Sequence, residues 1–350
     1  MPKSGTNIRT NTPGKKAFRS PVADIFLRKA HRITFKLSAI VVALLFPLQL
    51  TMADGWDPDT LTSNIGSIKN TRHNLTQSFM GEDAGIMNIA RSNYGEVCVY
   101  CHTPHGANTQ TDAPLWNRTI NVGSYQIYDA PRTLNQPIDQ PGLNSITCLS
   151  CHDGTLAVDS VINMPGSGGY NPAQMTTVNE GFLDTWGGPG IGNHWNLDTS
   201  TGNGSCGFCH NSAEDFGAPD YTAFTIGTDL TNDHPVGILY PQAFGPGVDF
   251  NEPNLTYNPT GGGSSMAVFD LNGNGKPDKN EPRMYDNGSG PRVECASCHD
   301  PHGVPSAGPG SKFNPSFLRI NNGVANDGTP GTAGINSNVA SALCLTCHNK

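Results

Sequence analysis

The sequence has few apolar residues for its length. Aliphatic, aromatic, cysteine and methionine residues make up 36% of 350 positions, whereas 41 positions are glycine and 27 are proline. This composition lacks the apolar surface of an ordinary protein core, so we expect the chain to stay loose or to pack around a non-protein group. The length allows one large domain or two to three small ones.

Long apolar runs are also scarce, and the run that stands out lies near the N-terminus. Residues 1–36 contain nine Lys and Arg against one acidic residue, and the uncharged run 37–50, "LSAIVVALLFPLQL", follows them. Thr51 and Ala53 have the spacing of a cleavage site, so residues 1–53 are predicted to be a secretory signal peptide. A membrane anchor is the alternative, but an apolar run interrupted by Pro47 is short for a bilayer, which needs about 20 residues.

Without that segment the chain has few basic residues. It loses nine of its 21 Lys and Arg but only one of its 29 Asp and Glu, so 12 basic and 28 acidic residues remain, a net charge of −16. A surface this negative repels nucleic acid and anionic lipid. We therefore predict a secreted protein, extracellular or at the cell surface, with the periplasm as the alternative, and no stable membrane span after cleavage.

All ten cysteines occur in one repeated pattern, Cys-x-x-Cys-His. The five copies are Cys98, Cys101 and His102; Cys148, Cys151 and His152; Cys206, Cys209 and His210; Cys295, Cys298 and His299; and Cys344, Cys347 and His348. The pattern is typical of c-type haem attachment, because two thiols bind the vinyl groups on one porphyrin edge and the next imidazole reaches the iron. A disulfide framework or zinc sites would also pair cysteines, but neither needs a histidine after every pair. The sequence therefore predicts five covalent haem c groups.

Further histidines are available as the second axial ligands. Beyond residue 53 and outside the motifs they are His73, His105, His194, His234 and His302. Five irons and five histidines predict bis-histidine ligation throughout. The alternative ligands are Met80, Met87, Met164, Met175, Met266 and Met284.

The second histidine of "CHTPH" and "CHDPH" cannot complete its own site. His105 follows His102 by three residues, and His302 follows His299 in the same way. On a helical turn such a pair of imidazoles leaves the same side, so the two cannot bind one iron from opposite faces. We expect each to serve a neighbouring haem, or none.

The attachment motifs indicate an internal duplication. Their first cysteines are 50 residues apart in the first half, at 98 and 148, and 49 apart in the second, at 295 and 344. Between them, "PLWNR" (114–118) is echoed by "PSFLR" (315–319). The repeat predicts two dihaem modules, residues 54–165 and 233–350, and a connector, 166–232, that carries one haem. We expect a chain of mostly coil, with short helices and little strand beyond pieces such as "AVFD" (267–270), whose core is a stack of covalently bound haems.

A separate motif predicts a calcium site. "DLNGNGKPDKNE", residues 270–281, matches the calcium loop D-x-N-x-N-G followed by five residues and Glu. The expected ligands are side-chain oxygens of Asp270, Asn272, Asn274, Asp278 and Glu281 and the main-chain carbonyl of Lys276. Pro277 and the lack of clear flanking helices argue against an EF-hand switch, so we expect a structural calcium ion. An Asn- and Gly-rich surface turn is the alternative.

The motifs and their flanks, among them "HNLT", "CVYCHTPHG", "CLSCHDGT", "DHPVG" and "ALCLTCHNK", carry a family resemblance. The chain resembles secreted multihaem c-type cytochromes with doubled CxxCH motifs, a group similar to the extracellular cytochromes that polymerise into conductive filaments. The resemblance implies that His105 and His302 ligate neighbouring haems. It also implies that His73 serves the next subunit of an end-to-end homopolymer, whose partners are other redox proteins or extracellular electron acceptors.

The expected function is long-range extracellular electron transfer through a chain of bis-histidine haems, as a subunit of a conductive filament. A discrete periplasmic pentahaem shuttle is the first alternative. A multihaem reductase with an open iron is the second, but every motif ends in histidine and the histidine count leaves no iron vacant. A structural surface protein, in which haem serves only for packing, is the third. We therefore do not expect an enzyme.

Overall fold

The computed structural model describes nine stretches of the chain, residues 63–76, 94–120, 123–128, 136–163, 195–198, 205–211, 220–306, 308–321 and 341–349. These stretches belong to one compact unit, Gly55–Lys350. The predicted signal peptide and His194 lie outside the described residues, as do Met80, Met87, Met164 and Met175. In the stretches described, no helix is long and apolar enough to cross a membrane. The division into two modules and a connector stays a prediction.

Short helices carry four of the five attachment motifs. The α-helices are α1 (Leu143–His152), α2 (Cys295–Cys298) and α3 (Ala342–Cys347). The 3-10 helices are Ile68–Asn70, Cys206–Phe208, Thr222–Phe224 and Pro315–Phe317. Helix α3 begins after Ser341, whose side chain accepts a hydrogen bond from the main-chain N–H of Cys344, because a serine at this position satisfies an N–H that the helix leaves free.

A five-stranded antiparallel sheet lies in the second half of the chain. Its strands are β1 (Ile238–Leu239), β2 (Leu255–Tyr257), β3 (Ser265–Val268), β4 (Arg283–Asp286) and β5 (Pro291–Val293). Their spatial order is β1-β5-β4-β3-β2, and all four neighbouring pairs are antiparallel. Strands β2 to β5 form a meander, whereas β1 pairs with β5 from the opposite edge.

The predicted fold class is wrong. A five-stranded sheet replaces the expected coil with little strand. Buried apolar side chains also form four clusters among the described residues. The buried members are Tyr94, Tyr100 and Val161; Trp116, Ile120 and Ile146; Tyr125, Leu149 and Leu230; and Tyr240, Phe269 and Met284. These clusters are rich in aromatic rings, which bury a large area per residue.

The sheet positions the fourth attachment motif. Strand β5 ends at Val293, and α2 begins two residues later at Cys295. Pairing of β1 with β5 places Ile238 opposite Val293. The segment that contains His234 therefore lies beside the fourth motif, although the two are far apart in the sequence.

Glu294 joins the first and second halves of the chain at this point. Its carboxylate accepts hydrogen bonds from the N–H of Gly142, at 3.0 and 3.2 Å, and from the Ser145 hydroxyl, at 2.5 Å. The Ser145 hydroxyl also accepts from the N–H of Cys295, at 2.8 Å. Burial raises the pKa of Glu294, and the hydrogen bonds from Ser145 and Gly142 offset only part of this effect. The start of α1 is thus fixed against α2 through one buried side chain.

Replacement of Glu294 with alanine should lower the free energy of unfolding by about 2 kcal/mol, because two buried donors at the start of α1 lose their acceptor. Glu294→Gln keeps one side-chain oxygen and should cost about half as much. Urea unfolding of the purified holoprotein, followed by circular dichroism, measures both values. Glu252→Ala removes an exposed carboxylate and is the control. Equal midpoints for Glu294→Ala and Glu252→Ala would contradict the role of Glu294.

Candidate haem sites

A tight helical turn at the attachment motifs brings each histidine back to the first cysteine. The histidine N–H donates to the carbonyl of the first cysteine in four motifs. These bonds join His102 to Cys98 at 2.7 Å, His210 to Cys206 at 3.0 Å, His299 to Cys295 at 3.1 Å and His348 to Cys344 at 2.8 Å. In the remaining motif, Cys148 to His152 all lie within α1. Two thiols and an imidazole therefore occupy one turn, as attachment to one porphyrin edge requires.

Three motif histidines have one ring nitrogen fixed by the main chain. Nδ1 of His102 is 2.7 Å from the carbonyl oxygen of Pro114, that of His152 is 2.7 Å from Phe224 O, and that of His299 is 2.7 Å from Ser316 O. A carbonyl oxygen only accepts hydrogen bonds, so Nδ1 must carry the proton. Nε2 is then left with its lone pair. This is the tautomer and the anchoring that metal-ligating histidines commonly have.

Two of these histidines face a second histidine from outside the motifs. The ring centres of His102 and His302 are 6.1 Å apart with planes 14° from parallel. The ring centres of His73 and His152 are 6.4 Å apart with planes at 69°. An iron bonded at about 2 Å to each of two imidazole nitrogens sets the ring centres about 6 Å apart. Both separations fit one iron between each pair.

Three of the four paired imidazoles, those of His73, His102 and His152, have lowered pKa values, which favour the neutral form that binds metal. Desolvation, and then the charge of the neighbouring His152, lower the pKa of His73 to about 4. Desolvation also lowers the pKa values of His102 and His152, although hydrogen bonds to Pro114 and Phe224 oppose the effect. Lone pairs are therefore available at neutral pH.

A buried donor beside the first pair lacks an acceptor. The Trp116 side chain is 8% exposed, and its indole ring lies edge-on to His102 with ring centres 5.9 Å apart. Within the stretches that the structure describes, its Nε1–H has no hydrogen-bond partner. An unsatisfied buried donor is costly, and the carboxylates of a haem are acceptors of the kind that is missing. The residues at this site fit the predicted cofactor.

The third motif differs from these two sites. Cys206 begins a 3-10 helix that ends at Phe208, so Cys209 lies just beyond the helix, where its N–H bonds to Cys206 O at 3.2 Å. His210 is buried and stacks on Tyr221, with ring centres 3.8 Å apart. Haem attachment at Cys206 and Cys209 stays a prediction.

Two of the other predicted ligands lie at the surface. His105 and His234 are exposed, and Nδ1 of His234 lies 3.1 Å from the carbonyl oxygen of Pro235. The His348 ring lies 4.7 Å from that of Phe250. His73, which the resemblance assigns to a next subunit, lies instead beside His152 of its own chain.

Thiols of different motifs are neighbours across the molecule. Cys148 and Cys295 are within hydrogen-bonding reach, and this contact with burial raises the pKa of Cys148 well above its usual range. Burial, and then the proximity of Cys151, raise the pKa of Cys101 to about 12. Burial, with Cys298 next in effect, raises that of Cys347 to about 12. These contacts place the first motif beside the second, the second beside the fourth, and the fourth beside the fifth.

Main-chain contacts place the third motif beside the second. The N–H of Cys206 bonds to Asn196 O at 3.0 Å, and the N–H of Val158 bonds to Trp195 O at 3.0 Å. The segment 195–198 therefore lies between the third motif and the residues that follow α1. The third motif therefore lies near the second.

None of the ten cysteines, all of which lie in described stretches, forms a disulfide.

The structure corrects the register of the internal repeat. The N–H of Thr103 bonds to Leu115 O and that of Asp300 to Phe317 O, and His102 pairs with Trp116 as His299 does with Leu318. Residues 114–117 are thus equivalent to 316–319, one position away from the alignment of "PLWNR" with "PSFLR". Leu115 and Phe317 both have positive φ angles, 56° and 58°. This unusual turn positions the carbonyl oxygen that accepts a hydrogen bond from Nδ1 of each histidine.

Several site residues could not be assigned from the sequence. The carbonyls of Pro114, Ser316 and Phe224 anchor histidines, and Phe317 stacks on His73 with ring centres 4.4 Å apart. Every residue has a main-chain carbonyl, so the sequence does not show which of them anchors a histidine. The echo of 114–118 in 315–319 was the one available signal, because it marked the right segment even though its register was off by one.

The predicted calcium loop is folded around Asp270 and Glu281. Asp270 accepts from the N–H groups of Gly273 and Gly275 at 2.7 and 2.8 Å, and the buried Glu281 accepts from those of Leu271 and Asp278 at 2.8 and 2.9 Å. Gly275 has the positive φ, 73°, expected at the sharp turn. Across the described ranges, no three His, Cys, Asp or Glu converge on a metal position. Calcium binding by residues 270–281 stays a prediction.

No protein-family model matches the chain, and no curated protein is similar enough to match it. The assignment of function therefore depends on the motifs and on the geometry of the histidines.

Proposed function

We propose that this chain is a pentahaem c-type cytochrome that transfers electrons over long distances outside the cell. The observation that carries the proposal is the pair of imidazole–imidazole separations, 6.1 Å for His102 and His302 and 6.4 Å for His73 and His152. In each pair one histidine belongs to a Cys-x-x-Cys-His motif and the other does not. That is the arrangement which gives a covalently attached haem an imidazole on both faces.

The residues of these two sites support electron transfer rather than catalysis. A haem held between two imidazoles supplies a one-electron couple and offers no open position to a substrate. Pro114 and Phe224 fix the ring orientations of His102 and His152 through their carbonyls. Fixed ligands change little between the two oxidation states, so little reorganisation opposes the transfer.

The arrangement of the thiols supports a relay rather than separate sites. Cys101 lies near Cys151, Cys148 near Cys295, and Cys298 near Cys347. Because each thiol fixes the edge of one porphyrin, neighbouring thiols from different motifs bring porphyrin edges close together. The order is first, second, fourth and fifth motif, and it crosses between the halves of the chain at Cys148 and Cys295.

The surface near the fifth motif supports exchange of electrons with another molecule. In α3, Cys344 is exposed and the Leu345 side chain is 40% exposed. An attachment site at the surface suits contact with a redox protein, an extracellular acceptor or a second copy of this chain. We extend the proposal to a secreted filament subunit, with the discrete periplasmic shuttle as the competing form.

The haem content of the secreted protein tests the proposal. Mass spectrometry of protein made with the cytochrome c maturation machinery should show five haem masses added to the chain that remains after cleavage. A double variant, Cys206→Ala with Cys209→Ala, should carry four. A colourless protein that still folds would refute the proposal, and a high-spin ferric signal at low temperature would favour a reductase. Negative-stain electron microscopy decides the assembly, since filaments support the polymer and globular particles alone exclude it.

A further inference from the structure

The two histidine pairs differ in what holds their Nδ1 atoms. His102, His152 and His73 all lie against main-chain carbonyls, those of Pro114, Phe224 and Pro301, at 2.7, 2.7 and 3.1 Å. Nδ1 of His302 instead lies 3.3 Å from a carboxylate oxygen of Asp300. Three of the four imidazoles therefore have a neutral partner, and one has an anionic partner.

The Asp300 carboxylate is fixed in place. It is buried, with 7% of the residue exposed. Its Oδ1 also accepts the main-chain N–H of His302 at 2.9 Å, and its Oδ2 is 3.8 Å from the Arg319 guanidinium. Arg319 is itself held by the carbonyls of Ala296 and Lys279, at 3.0 and 2.8 Å. The carboxylate is thus held by a buried set of contacts that includes the anchored guanidinium of Arg319.

An anionic partner changes how strongly an imidazole donates electrons. A carboxylate draws the Nδ1 proton more strongly than a carbonyl does, and this raises the basicity of the opposite nitrogen. A more basic axial ligand stabilises ferric over ferrous iron and so lowers the reduction potential. The His102–His302 site has this ligand, whereas the His73–His152 site has two carbonyl-anchored imidazoles.

The ring orientations give each site its own spectroscopic signature. Parallel imidazole planes, as at 14° for His102 and His302, donate into the same iron orbital and separate the two orbitals that interact with the rings. A ferric iron in that field gives a rhombic low-spin signal. Planes near a right angle, as at 69° for His73 and His152, leave the two orbitals nearly equal in energy. The signal is then strongly anisotropic.

We propose that Asp300 positions and polarises His302 as the axial ligand opposite His102, so that the haem attached at Cys98 and Cys101 has a lower reduction potential than the haem attached at Cys148 and Cys151. This inference rests on the proposed function. It assigns His302 and His73 to particular irons. It also identifies Asp300 as a positioning residue, which does not itself bind iron. Each iron changes between ferric and ferrous by one electron, so the lower-potential site donates and its neighbour accepts.

Because of His302, the first haem site contains residues from both halves of the chain. It follows His299 of the fourth motif by three residues, yet its ring faces His102 of the first. The first site is therefore complete when the two halves are folded together, and its potential depends on Asp300, a residue of the second half.

The test is a redox titration of the holoprotein with Asp300→Asn, followed by electron paramagnetic resonance. Asparagine keeps an oxygen that can accept from both N–H groups of His302, so the variant removes the charge and retains the hydrogen bonds. The rhombic component should disappear at a higher potential than in the wild type, while the anisotropic component should titrate unchanged. Asp229→Asn is the matched control, because its carboxylate bonds Thr231 on the surface at 2.7 and 3.0 Å and touches no histidine. An unmoved rhombic component, or the same shift in the control, would overturn the role of Asp300.

A second variant tests the pairing without relying on Asp300. His302→Met should convert one site to histidine–methionine ligation, with loss of the rhombic component and appearance of the near-infrared band of methionine-bound ferric haem. Loss of the anisotropic component instead would show that His302 serves a different iron. Haem content is measured on every sample. Five haems with unmoved potentials would reject this inference alone, whereas a folded protein without haem would reject the proposed function.

Discussion

Replacement of Arg118 with alanine should cost about 4 kcal/mol of the free energy of unfolding, among the largest effects of a single substitution. The side chain is fully buried. Its guanidinium donates to carbonyl oxygens of Ser150, Ala157 and Ser160 at 2.7, 2.9 and 2.6 Å, and to Val158 O at 3.0 Å. Each hydrogen bond to a charged group contributes about 1.5–3 kcal/mol, and every acceptor left buried without a donor adds a penalty.

The position of Ser150 links this loss of stability to the second haem site. Ser150 lies between Cys148 and Cys151, and its hydroxyl also accepts from Nε of Arg118 at 3.2 Å. Without Arg118 the segment 157–160 is no longer held against α1. We therefore expect the haem that we propose at Cys148 and Cys151 to lose its native absorbance at a lower urea concentration than the other proposed haems do.

Urea unfolding of the holoprotein, monitored by circular dichroism and by haem absorbance, measures the effect of Arg118→Ala. Arg118→Lys is the informative companion, because it keeps the charge but presents it as a single point instead of a planar fork. The free energy of unfolding of Arg118→Lys should lie between those of the wild type and Arg118→Ala. Lys279→Ala, which removes an exposed cation, should leave the midpoint unchanged. A loss below about 1 kcal/mol for Arg118→Ala would show that these carbonyls find other donors.

The turn at each attachment motif could be predicted from the sequence because it is local. A histidine after two cysteines in one helical turn needs no long-range contact, and the structure has that turn in every motif. The partner of each histidine could not be predicted in this way. His102 meets His302, and His152 meets His73, because of how distant segments pack, and residue spacing carries no information on that packing.

The sheet was missed because its strands are too short to show a pattern. Strand β1 has two residues and β5 has three, so neither contains enough positions for an alternation of apolar and polar side chains. The pairing of β1 with β5 also joins residues far apart in the sequence. By contrast, "AVFD" was expected to contain a strand, and its first two residues, Ala267 and Val268, belong to β3.

The register error in the repeat has a simple structural origin. His102 bonds to a carbonyl 12 residues later, whereas His299 bonds to one 17 residues later. The intervening loop therefore differs in length between the halves, and the proline at the start of each echoed segment does not mark equivalent positions. The turn with positive φ at Leu115 and Phe317 does mark them, but neither residue type predicts that conformation.

Replacement of Gly237 with alanine should destabilise the holoprotein by about 4 kcal/mol, by the combined effect of strain and a collision. The φ angle of Gly237 is +75°, and a Cβ there would lie 2.3 Å from the carbonyl oxygen of Asp139 and 3.0 Å from that of Gln140. These are backbone atoms, so they cannot move aside as a side chain would. The Gly237 N–H also bonds to Val293 O at 2.8 Å, and its carbonyl accepts from Arg292 at 2.7 Å.

The variant Gly227→Ala measures the cost of backbone strain without a steric collision. Gly227 has nearly the same φ angle, +77°, but no atom lies within 4 Å of the position that a Cβ would take, so the cost should be about 1 kcal/mol from backbone strain alone. Thermal and urea unfolding of the two variants, each compared with the wild type, give the difference directly. Because Gly237 holds β1 against β5, its substitution should also shift the midpoint for the fourth haem site, whereas that of Gly227 should not. Equal costs for the two variants would mean that the 139–140 segment yields, and that the link between β1 and the fourth motif is looser than these contacts indicate.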